Sequence, residues 1–363
     1  MLERVSTAGW SWPPYEPALP EGDSNGAPVV AVDLGGTHTR VGVAGRGGFD
    51  AVFVHRTESL EQADGLGVIP GVLTAIRGAL DEAAGGKMPA AIGLAVAAYV
   101  GKSGIVLQSR PFGIPAGSAV RDRVAAEFGA PVMVDNDANL AALAEVAVGA
   151  GRGLSDVAVI TLGTNIGLGI IADGRLVRGS HGAAGEPGML LVRAGRGRDG
   201  RDSYARAGRL GEGLTTAPAG YAYLEDLVGG GALRRSIEQR PGTATPGAES
   251  VQSAARAGIF ARAANGDRGA RAAVRHAIEG WAMLIASLAV VLDPQVFIIS
   301  GGFVEDAPAF LEPLRRRAAE LCPLPPEIRI GDLGARSGLV GAVVAARSIL
   351  RPLVAEAASS DGR

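Results

Sequence analysis

The sequence predicts two related α/β halves within one chain of 363 residues. Two observations support this fold class. Short apolar runs that end in glycine turns alternate with alanine- and leucine-rich stretches, as expected of buried strands and helices. The pattern strand, glycine turn, strand, strand also occurs twice, about 130 residues apart. A repeat on the scale of a domain indicates two halves of similar topology that face one another.

The first half follows an irregular extension over residues 1–27. Its first three strands are predicted at Val29–Val32, Val41–Ala44 and Ala51–Val54. Three further apolar runs also predict strands, at Pro89–Val96, Gly104–Leu107 and Pro131–Val134. An alanine- and leucine-rich stretch then predicts a helix over Ala138–Val148, because both residue types favour helices.

The second half repeats the opening pattern, with strands predicted at Val157–Leu162, Ile166–Ala172 and Arg175–Val177. An Asp-Gly turn separates the last two strands, which is typical of a hairpin. A long helix over Asp267–Leu292 precedes a strand at Gln295–Ile299, and a last helix follows Ser337.

The composition excludes several classes of protein. Lys and Arg number 35 against 37 Asp and Glu, for a net charge of −2, which argues against a nucleic-acid or membrane-surface binder. Cys322 is the only cysteine, so disulfide frameworks and cysteine-based metal sites are excluded. The N-terminus lacks a signal-peptide pattern, and the most apolar stretch, Trp281–Leu292, is shorter than the ~20 residues of a membrane span. We therefore expect a cytoplasmic protein.

Three glycine turns, each at a strand end, are candidates for binding a nucleotide. In Asp33-Leu34-Gly35-Gly36-Thr37, the glycines let backbone N–H groups approach a phosphate, and Thr37 adds a hydroxyl donor. Asp33 can hold Mg²⁺ through water. Gly163-Thr164-Asn165 occupies the equivalent place in the second half, and Gly301-Gly302 suits close packing against a nucleoside. An ordinary hairpin is the alternative for any one turn, but three together favour phosphate binding.

The segment Asp135-Asn136-Asp137-Ala138-Asn139 lies between a predicted strand and a predicted helix. One interpretation makes Asp137 a general base for an attacking hydroxyl, a role that contributes ~10²–10⁴-fold to rates, with Asn136 binding the substrate. The other is that Asn136 or Asp137 merely caps the helix.

Five segments together resemble the ROK family of sugar kinases and repressors, in order and spacing, from about residue 29 to 350. They are Asp33–Arg40, Asn136–Ala138, Thr161–Gly169, Gly182–Glu186 and Ser300–Gly302.

The resemblance implies a two-domain actin-like/hexokinase (ribonuclease H-like) ATPase fold with an interdomain cleft, and a homodimeric, cytoplasmic, ATP- and Mg²⁺-dependent kinase. Asp137 would deprotonate a primary hydroxyl of the acceptor, which attacks the γ-phosphate, while Asn136 and Glu186 hold sugar hydroxyls. The residues expected at the nucleotide are Asp33, Gly35, Gly36, Thr37, Arg40, Gly163, Thr164, Asn165, Gly301 and Gly302. The expected domains are 28–137 with a C-terminal helix near 337–352, and 138–336 with an insertion loop near 193–219.

The departures from the family pattern concern the acceptor. Met189 stands where the family usually has a histidine that contacts sugar and zinc, and the three cysteines of a zinc loop are absent, so we expect no zinc. Tyr223-Leu224-Glu225 best fits the end of that loop, which makes Glu225 a sugar-site candidate. Phe112 lies near the place of a lost family asparagine, and Asn165 replaces a usual glycine.

These losses suggest a less polar acceptor pocket, since a site that loses hydrogen-bonding groups changes the hydroxyl pattern it favours. We expect a C7 carbasugar (cyclitol) or an amino sugar rather than plain glucose, in a secondary-metabolite (antibiotic biosynthesis) pathway. An ordinary glucokinase is one alternative. A regulator or pseudokinase that binds sugar without turnover is another, although residues 1–27 cannot supply the DNA-binding domain of a family repressor. The arginine-rich stretch 193–209 is interpreted as a solvated loop, so no nucleic-acid partner is expected.

Overall fold

The computed structural model describes residues 26–34, 38–45, 53–58, 69–101, 104–108, 119–163, 165–193, 221–233, 258–304 and 307–360. The N-terminal extension to residue 25, most of the insertion loop, Phe112 and the turn Gly35–Thr37 lie outside these ranges. Two five-stranded sheets and two short hairpins, all within the described residues, form the framework that the helices cover.

The first sheet has the strand order β3-β2-β1-β4-β7. Its strands are β1 (Val29–Leu34), β2 (His38–Ala44), β3 (Phe53–Glu58), β4 (Ala91–Val96) and β7 (Val132–Asn136). The first three strands are antiparallel, and β1, β4 and β7 are parallel. Both β1 and β4 are buried along their whole length, which explains their continuous apolar runs. A short hairpin pairs β5 (Tyr99–Val100) with β6 (Val106–Gln108).

The second sheet has the order β10-β9-β8-β13-β14. Its strands are β8 (Val157–Leu162), β9 (Ile166–Ala172), β10 (Arg175–Leu176), β13 (Val296–Ser300) and β14 (Ile328–Ile330). Strands β8, β13 and β14 are parallel. Strand by strand this order repeats that of the first sheet, so the internal repeat predicted from the sequence is present. A second hairpin pairs β11 (Leu191–Arg193) with β12 (Tyr221–Tyr223).

Helices of the first half pack on the first sheet. They are α1 (Ile69–Ala84), α2 (Val120–Phe128), α3 (Asp137–Val148) and α7 (Ser337–Ser360). Helix α7 comes very close to its neighbours: a Cβ atom on Gly341 would lie 1.9 Å from the Leu140 carbonyl oxygen of α3. A Cβ on Gly93 of β4 would lie 2.0 Å from the Ala342 carbonyl oxygen. Glycine therefore allows the C-terminal helix to seat against both α3 and β4.

The other helices are α4 (Leu224–Val228), α5 (Arg268–Leu292) and α6 (Ala307–Leu321). Helix α5 begins where Asp267 accepts hydrogen bonds from the N–H groups of Gly269 and Ala270. Its buried Trp281 ring lies edge-on to Phe303 and Phe310, at centroid distances of 5.7 and 5.4 Å. These rings and their apolar neighbours form the core between α5 and α6.

Helix α5 is the one helix in the described part of the chain that is long and apolar enough to cross a membrane, judged by length and composition alone. It has 25 residues, so the length argument made from Trp281–Leu292 is wrong: that stretch is only its C-terminal half. Half of its apolar window is buried inside the protein, as expected of a core helix.

The chain divides into two compact units. The first comprises residues 1–155, 169–185 and 336–363, and the second comprises residues 156–168 and 186–335. The first unit contains α3, whereas the sequence-based ranges divide the chain before Ala138. The packing of α3 on α7 accounts for its place in this unit. The domain ranges themselves stay a prediction.

Candidate active site

The junction of β7 and α3, in the first unit, carries the candidate base. Asn136 is the N-cap of α3, and its Oδ1 accepts hydrogen bonds from the N–H groups of Ala138 at 2.9 Å and Asn139 at 3.2 Å. Its Nδ2 donates to the Ala98 carbonyl oxygen at 3.2 Å. Asn136 therefore has the capping role, and Asp137 is the first residue of the helix. The capping interpretation is therefore met by Asn136, and the role of Asp137 as a base stays a prediction.

Asp137 has the electrostatics of a base that works near neutral pH. Burial raises the pKa of Asp137 to about 7, and the negative charge of Asp33 contributes to the rise. The Ala138 N–H donates to Asp137 Oδ1 at 2.9 Å and opposes it. A carboxylate with a pKa near the working pH combines a substantial ionised fraction with high basicity, so it accepts a proton efficiently.

Asp33 and Arg40 form an ion pair next to this base. They lie directly opposite each other on β1 and β2, so both side chains point to the same face of the sheet. Arg40 Nη1 donates to Asp33 Oδ2 at 2.7 Å. Burial raises the pKa of Asp33, and the Arg40 guanidinium partly offsets this effect.

The N-terminus of α7 also faces Asp33. A Cβ atom on Gly338 would lie 3.2 Å from Asp33 Oδ1 and 3.3 Å from its Cγ, so the carboxylate packs against the first turn of a 24-residue helix. The positive end of a helix dipole favours a negative charge there. Arg40 and α7 thus support the ionised form of Asp33 against its burial.

Mg²⁺ fits the carboxylates of this unit by their chemistry. Asp33 supplies oxygen donors of the kind that Mg²⁺ prefers, and a divalent cation would relieve the repulsion between Asp33 and Asp137 that raises the pKa of Asp137. Within the described ranges, no group of three or more His, Cys, Asp or Glu side chains forms a metal cage. This arrangement is compatible with an ion held mainly by water and phosphate.

In the second unit, the turn after β8 is fixed by backbone contacts. The Gly163 N–H donates to the Asn165 carbonyl oxygen at 3.1 Å, and the Gly163 carbonyl oxygen accepts from the Gly230 N–H at 3.1 Å. A Cβ on Gly230 would lie 2.2 Å from that same oxygen. The residue at 230 must therefore be glycine for the turn to keep this position. Thr164 lies outside the described residues.

The turn after β13 lies beside the end of β8. Gly301 has a φ of +90°, and a Cβ atom there would lie 2.7 Å from the Leu162 carbonyl oxygen. The Phe303 N–H donates to the same oxygen at 3.2 Å. Gly301 thus needs both glycine's freedom of φ and its lack of a side chain, and Gly302 follows in the same turn.

The candidate acceptor residues of the second unit lie together. A 3₁₀ turn over Pro187–Met189 follows Glu186. Glu225 on α4 reaches this turn, because a Cβ on Gly188 would lie 2.8 Å from Glu225 Oε2. The Leu224 N–H also donates to the Leu190 carbonyl oxygen at 2.9 Å. Glu225, Glu186 and Met189 therefore belong to one local group, although their roles toward a sugar stay predictions.

One contact with the candidate base's segment was missed by the sequence analysis. Arg178, just after β10, donates from Nε to Asp135 Oδ2 at 2.8 Å. The only signal in the sequence was an arginine placed directly after a strand, next to the glycine-rich approach to Glu186. Such a signal does not identify the partner, which lies 43 residues away in the chain.

Comparison with known proteins gives consistent results. The profile of the ROK family matches residues 29–348. The "Bifunctional enzyme NanE/NanK" of Brucella melitensis is 29% identical over 338 residues, which are 92% of this chain but 56% of that protein. This chain thus spans little more than half of that relative.

Other relatives match over almost their whole length. A glucokinase of Streptomyces coelicolor is 28% identical over 334 residues, covering 88% of this chain and 97% of the relative. A solved ROK family glucokinase from Streptomyces griseus, in complex with glucose and AMPPNP, superposes with a TM-score of 0.66 at 28% identity. The superposition covers 88% of this chain and 99% of that one.

Proposed function

Because the chain belongs to the ROK family and has the actin-like/hexokinase ATPase fold of its structural relatives, we propose that it is an ATP-dependent kinase acting on a hydroxyl of a sugar or sugar-like molecule. The observation that carries this proposal is Asp137. It begins α3, has a pKa raised to about 7, and lies within electrostatic reach of Asp33. The glucokinases among the relatives support the same reaction class.

In the proposed reaction, Asp137 accepts the proton of an acceptor hydroxyl as its oxygen attacks the γ-phosphorus of ATP. The new P–O bond forms, the bond to the β-phosphate oxygen breaks, and ADP leaves. Mg²⁺ neutralises phosphate charge when bound. Most of the catalysis then comes from positioning and charge neutralisation, which is general for phosphoryl transfer. The part-buried Asp33–Arg40 ion pair places charged groups next to the base, and Asn136 fixes the backbone that carries Asp137.

For the acceptor, we propose a C7 cyclitol or an amino sugar rather than plain glucose, as part of a secondary-metabolite pathway. Met189, beside Glu186 and Glu225, supports this choice because a thioether replaces a hydrogen-bonding histidine in the family pattern. A site that lacks a polar partner discriminates against the hydroxyl which that partner would bind. Phe112, the second basis of this idea, lies outside the described residues. We also propose a homodimer with no nucleic-acid partner.

A coupled assay for ADP formation, with hexoses, amino sugars and C7 cyclitols as acceptors, tests both the kinase activity and the choice of acceptor. We expect acceptor-dependent turnover, and the highest kcat/KM with a cyclitol or amino sugar. Highest kcat/KM with glucose would overturn the altered acceptor and support an ordinary glucokinase. No turnover with any acceptor that binds would support a regulator or pseudokinase.

The variant Met189→His sharpens this test. It restores the family's residue in the local group of Glu186 and Glu225, so we expect glucose to gain about tenfold in kcat/KM relative to the best acceptor, the scale of one hydrogen bond to a hydroxyl. Cys322→Ser is the control, because Cys322 is buried near the end of α6 with its thiol donating to the Leu324 carbonyl oxygen. An unchanged acceptor ratio in Met189→His would remove Met189 from the specificity argument.

A further inference from the structure

We propose that Arg178 is a positioning residue for the base: through Asp135, it fixes the strand end and helical turn that carry Asp137. This inference rests on the proposed function, since it assigns Arg178 a role in the reaction of that site. Arg178, Asp135 and Asp137 all belong to the first compact unit.

Asp135 is the centre of this network, because its two carboxylate oxygens hold three partners. Only 1% of its surface is exposed. Its Oδ1 accepts hydrogen bonds from the Asn136 N–H at 2.7 Å and from Asn139 Nδ2 at 2.9 Å. Its Oδ2 accepts from Arg178 Nε at 2.8 Å. A buried carboxylate needs such partners, because an unpaired buried charge is strongly unfavourable.

The partners of Asp135 bracket the base in the chain. Asn136 precedes Asp137 and caps α3, and Asn139 follows it by two residues, in the first turn of the helix. The Asp135 carboxylate thus accepts hydrogen bonds from residues on both sides of Asp137 in the chain. The direction of the Asp137 side chain depends on this first turn, and the orientation of Asp135 sets where the turn begins.

Arg178 brings a cation to Asp135, and it comes from a well-anchored turn of the same unit. The Arg178 carbonyl oxygen accepts from the Ala184 N–H at 3.2 Å. Gly182, with a φ of +77°, lies so close to Val100 that a Cβ atom would be 2.1 Å from its carbonyl oxygen. The backbone that carries Arg178 is therefore held in place, so the guanidinium reaches Asp135 from a fixed position.

Asn139 gives independent support for a positioning role. Its side chain is buried, and its Oδ1 has no hydrogen-bond partner among the described residues. A buried acceptor without a partner is unfavourable, so the side chain is poorly suited to a purely stabilising role. Its Nδ2 contact with Asp135 is the interaction that places it next to the base.

Removal of Arg178 should therefore affect catalysis more than nucleotide binding. Without the guanidinium, the Asp135 carboxylate loses its cationic partner and reorients, and Asn136 and Asn139 lose their shared acceptor. The Asp137 carboxylate then shifts, and a displacement of about 1 Å at a reacting group costs ~10²-fold in rate. Asp135, Asn136, Asn139 and Arg178 are not among the residues proposed to contact ATP.

Steady-state kinetics of four variants in the full-length protein test the inference. We expect Arg178→Ala to lower kcat about 100-fold with KM for ATP changed less than about threefold. Arg178→Lys, which keeps the charge, should recover kcat to within about tenfold of the wild type. Asn139→Ala should lower kcat about tenfold. The control Arg317→Ala, which removes a bidentate pair with Glu279 on α5, should leave kcat unchanged.

Several outcomes would overturn the positioning role. One is a folded Arg178→Ala protein that keeps the wild-type kcat, while the separate Asp137→Asn protein is inactive. Another is a rise in KM for ATP that matches the fall in kcat, since this indicates general disruption. If Arg178→Ala does not fold, Asn139→Ala decides, and an unchanged kcat in that variant contradicts the inference. Full turnover in Asp137→Asn would instead contradict the proposed function.

Discussion

The two sheets have the same strand order, but different types of residue lie at the ends of their strands. Strand β1 of the first sheet ends in Asp33-Leu34, and the corresponding strand β8 of the second ends in Thr161-Leu162. In the first copy, the ends of β1 and β7 carry the charged residues Asp33, Asp135 and Asp137. In the second copy, the ends of β8 and β13 carry glycines that pack backbone against backbone.

Under the proposed function, one topology supplies two kinds of site. The first copy uses burial and neighbouring charges to adjust carboxylate pKa values. In the second copy, close backbone approach leaves no room for side chains at Gly230 and Gly301. A kinase needs both functions: a base with a suitable pKa, and a surface that accepts phosphate oxygens.

Asp137→Asn is the strongest test of the proposed base in the first copy of the fold. We expect kcat to fall by ~10²–10⁴-fold, the usual contribution of a general base, with the Kd for ATP within about twofold of the wild type. Measurement of product formation alongside calorimetric ATP binding separates the two effects. A variant that turns over at the wild-type rate would contradict the role of Asp137.

The stability of the same variant gives a second readout. The folded pKa of Asp137 lies above its ordinary value, so ionisation of Asp137 destabilises the fold as pH rises from about 4 to about 7. Asn carries no such charge. We therefore expect Asp137→Asn to raise the melting temperature at pH 8 and to change it much less at pH 4. A lower melting temperature at pH 8 would contradict the buried, raised-pKa environment.

Asp33→Thr makes the end of β1 resemble the end of β8. It leaves Arg40 without its carboxylate partner and removes a fixed charge next to the base, so we expect kcat to fall by about 10²-fold, as for other preorganised electrostatic groups. Thr161→Ala is the matched change in the second copy, and there kcat should stay within about threefold of the wild type. Equal effects of the two substitutions would remove the contrast between the copies.

Gly230→Ala addresses the backbone packing of the second copy. The new methyl group would meet the Gly163 carbonyl oxygen at 2.2 Å and displace the turn after β8. We expect KM for ATP to rise about tenfold, with a smaller fall in kcat, because a displaced phosphate loop weakens binding first. Gly78→Ala is the control, since Gly78 lies in α1 with nothing within 4 Å of its Cβ position. An unchanged KM for ATP in a folded Gly230→Ala protein would separate this turn from the nucleotide.

The sequence allowed much of this framework to be predicted. Buried strands such as β1, β4, β8 and β13 are continuous apolar runs, so their existence and the repeat were recognised. Helices α1, α2 and α6 were not predicted from the sequence, and Gly78 in α1 and Pro313 in α6 are typical of helix ends rather than interiors. Packing against the sheets overrides these local preferences.

Contacts that depend on the fold were beyond the sequence. The position of Asp137 in its motif suggested a base, but its raised pKa depends on its burial in the fold and on the charge of Asp33, which lies more than 100 residues earlier in the chain. The pairing of Arg178 with Asp135 likewise follows from the packing of a turn against β7. Glu225 was a weak candidate from the sequence, and its contact with Gly188 depends on how α4 meets the 3₁₀ turn.

The pH dependence of kcat/KM for the acceptor tests the central claim most directly, because it reports ionisation of the free enzyme. The base must be ionised to accept a proton, and the pKa of Asp137 is raised to about 7. We therefore predict that kcat/KM is constant above about pH 8 and falls toward tenfold per pH unit below a midpoint near 7. A profile that stays flat down to pH 5 would contradict the assignment of Asp137 as the general base.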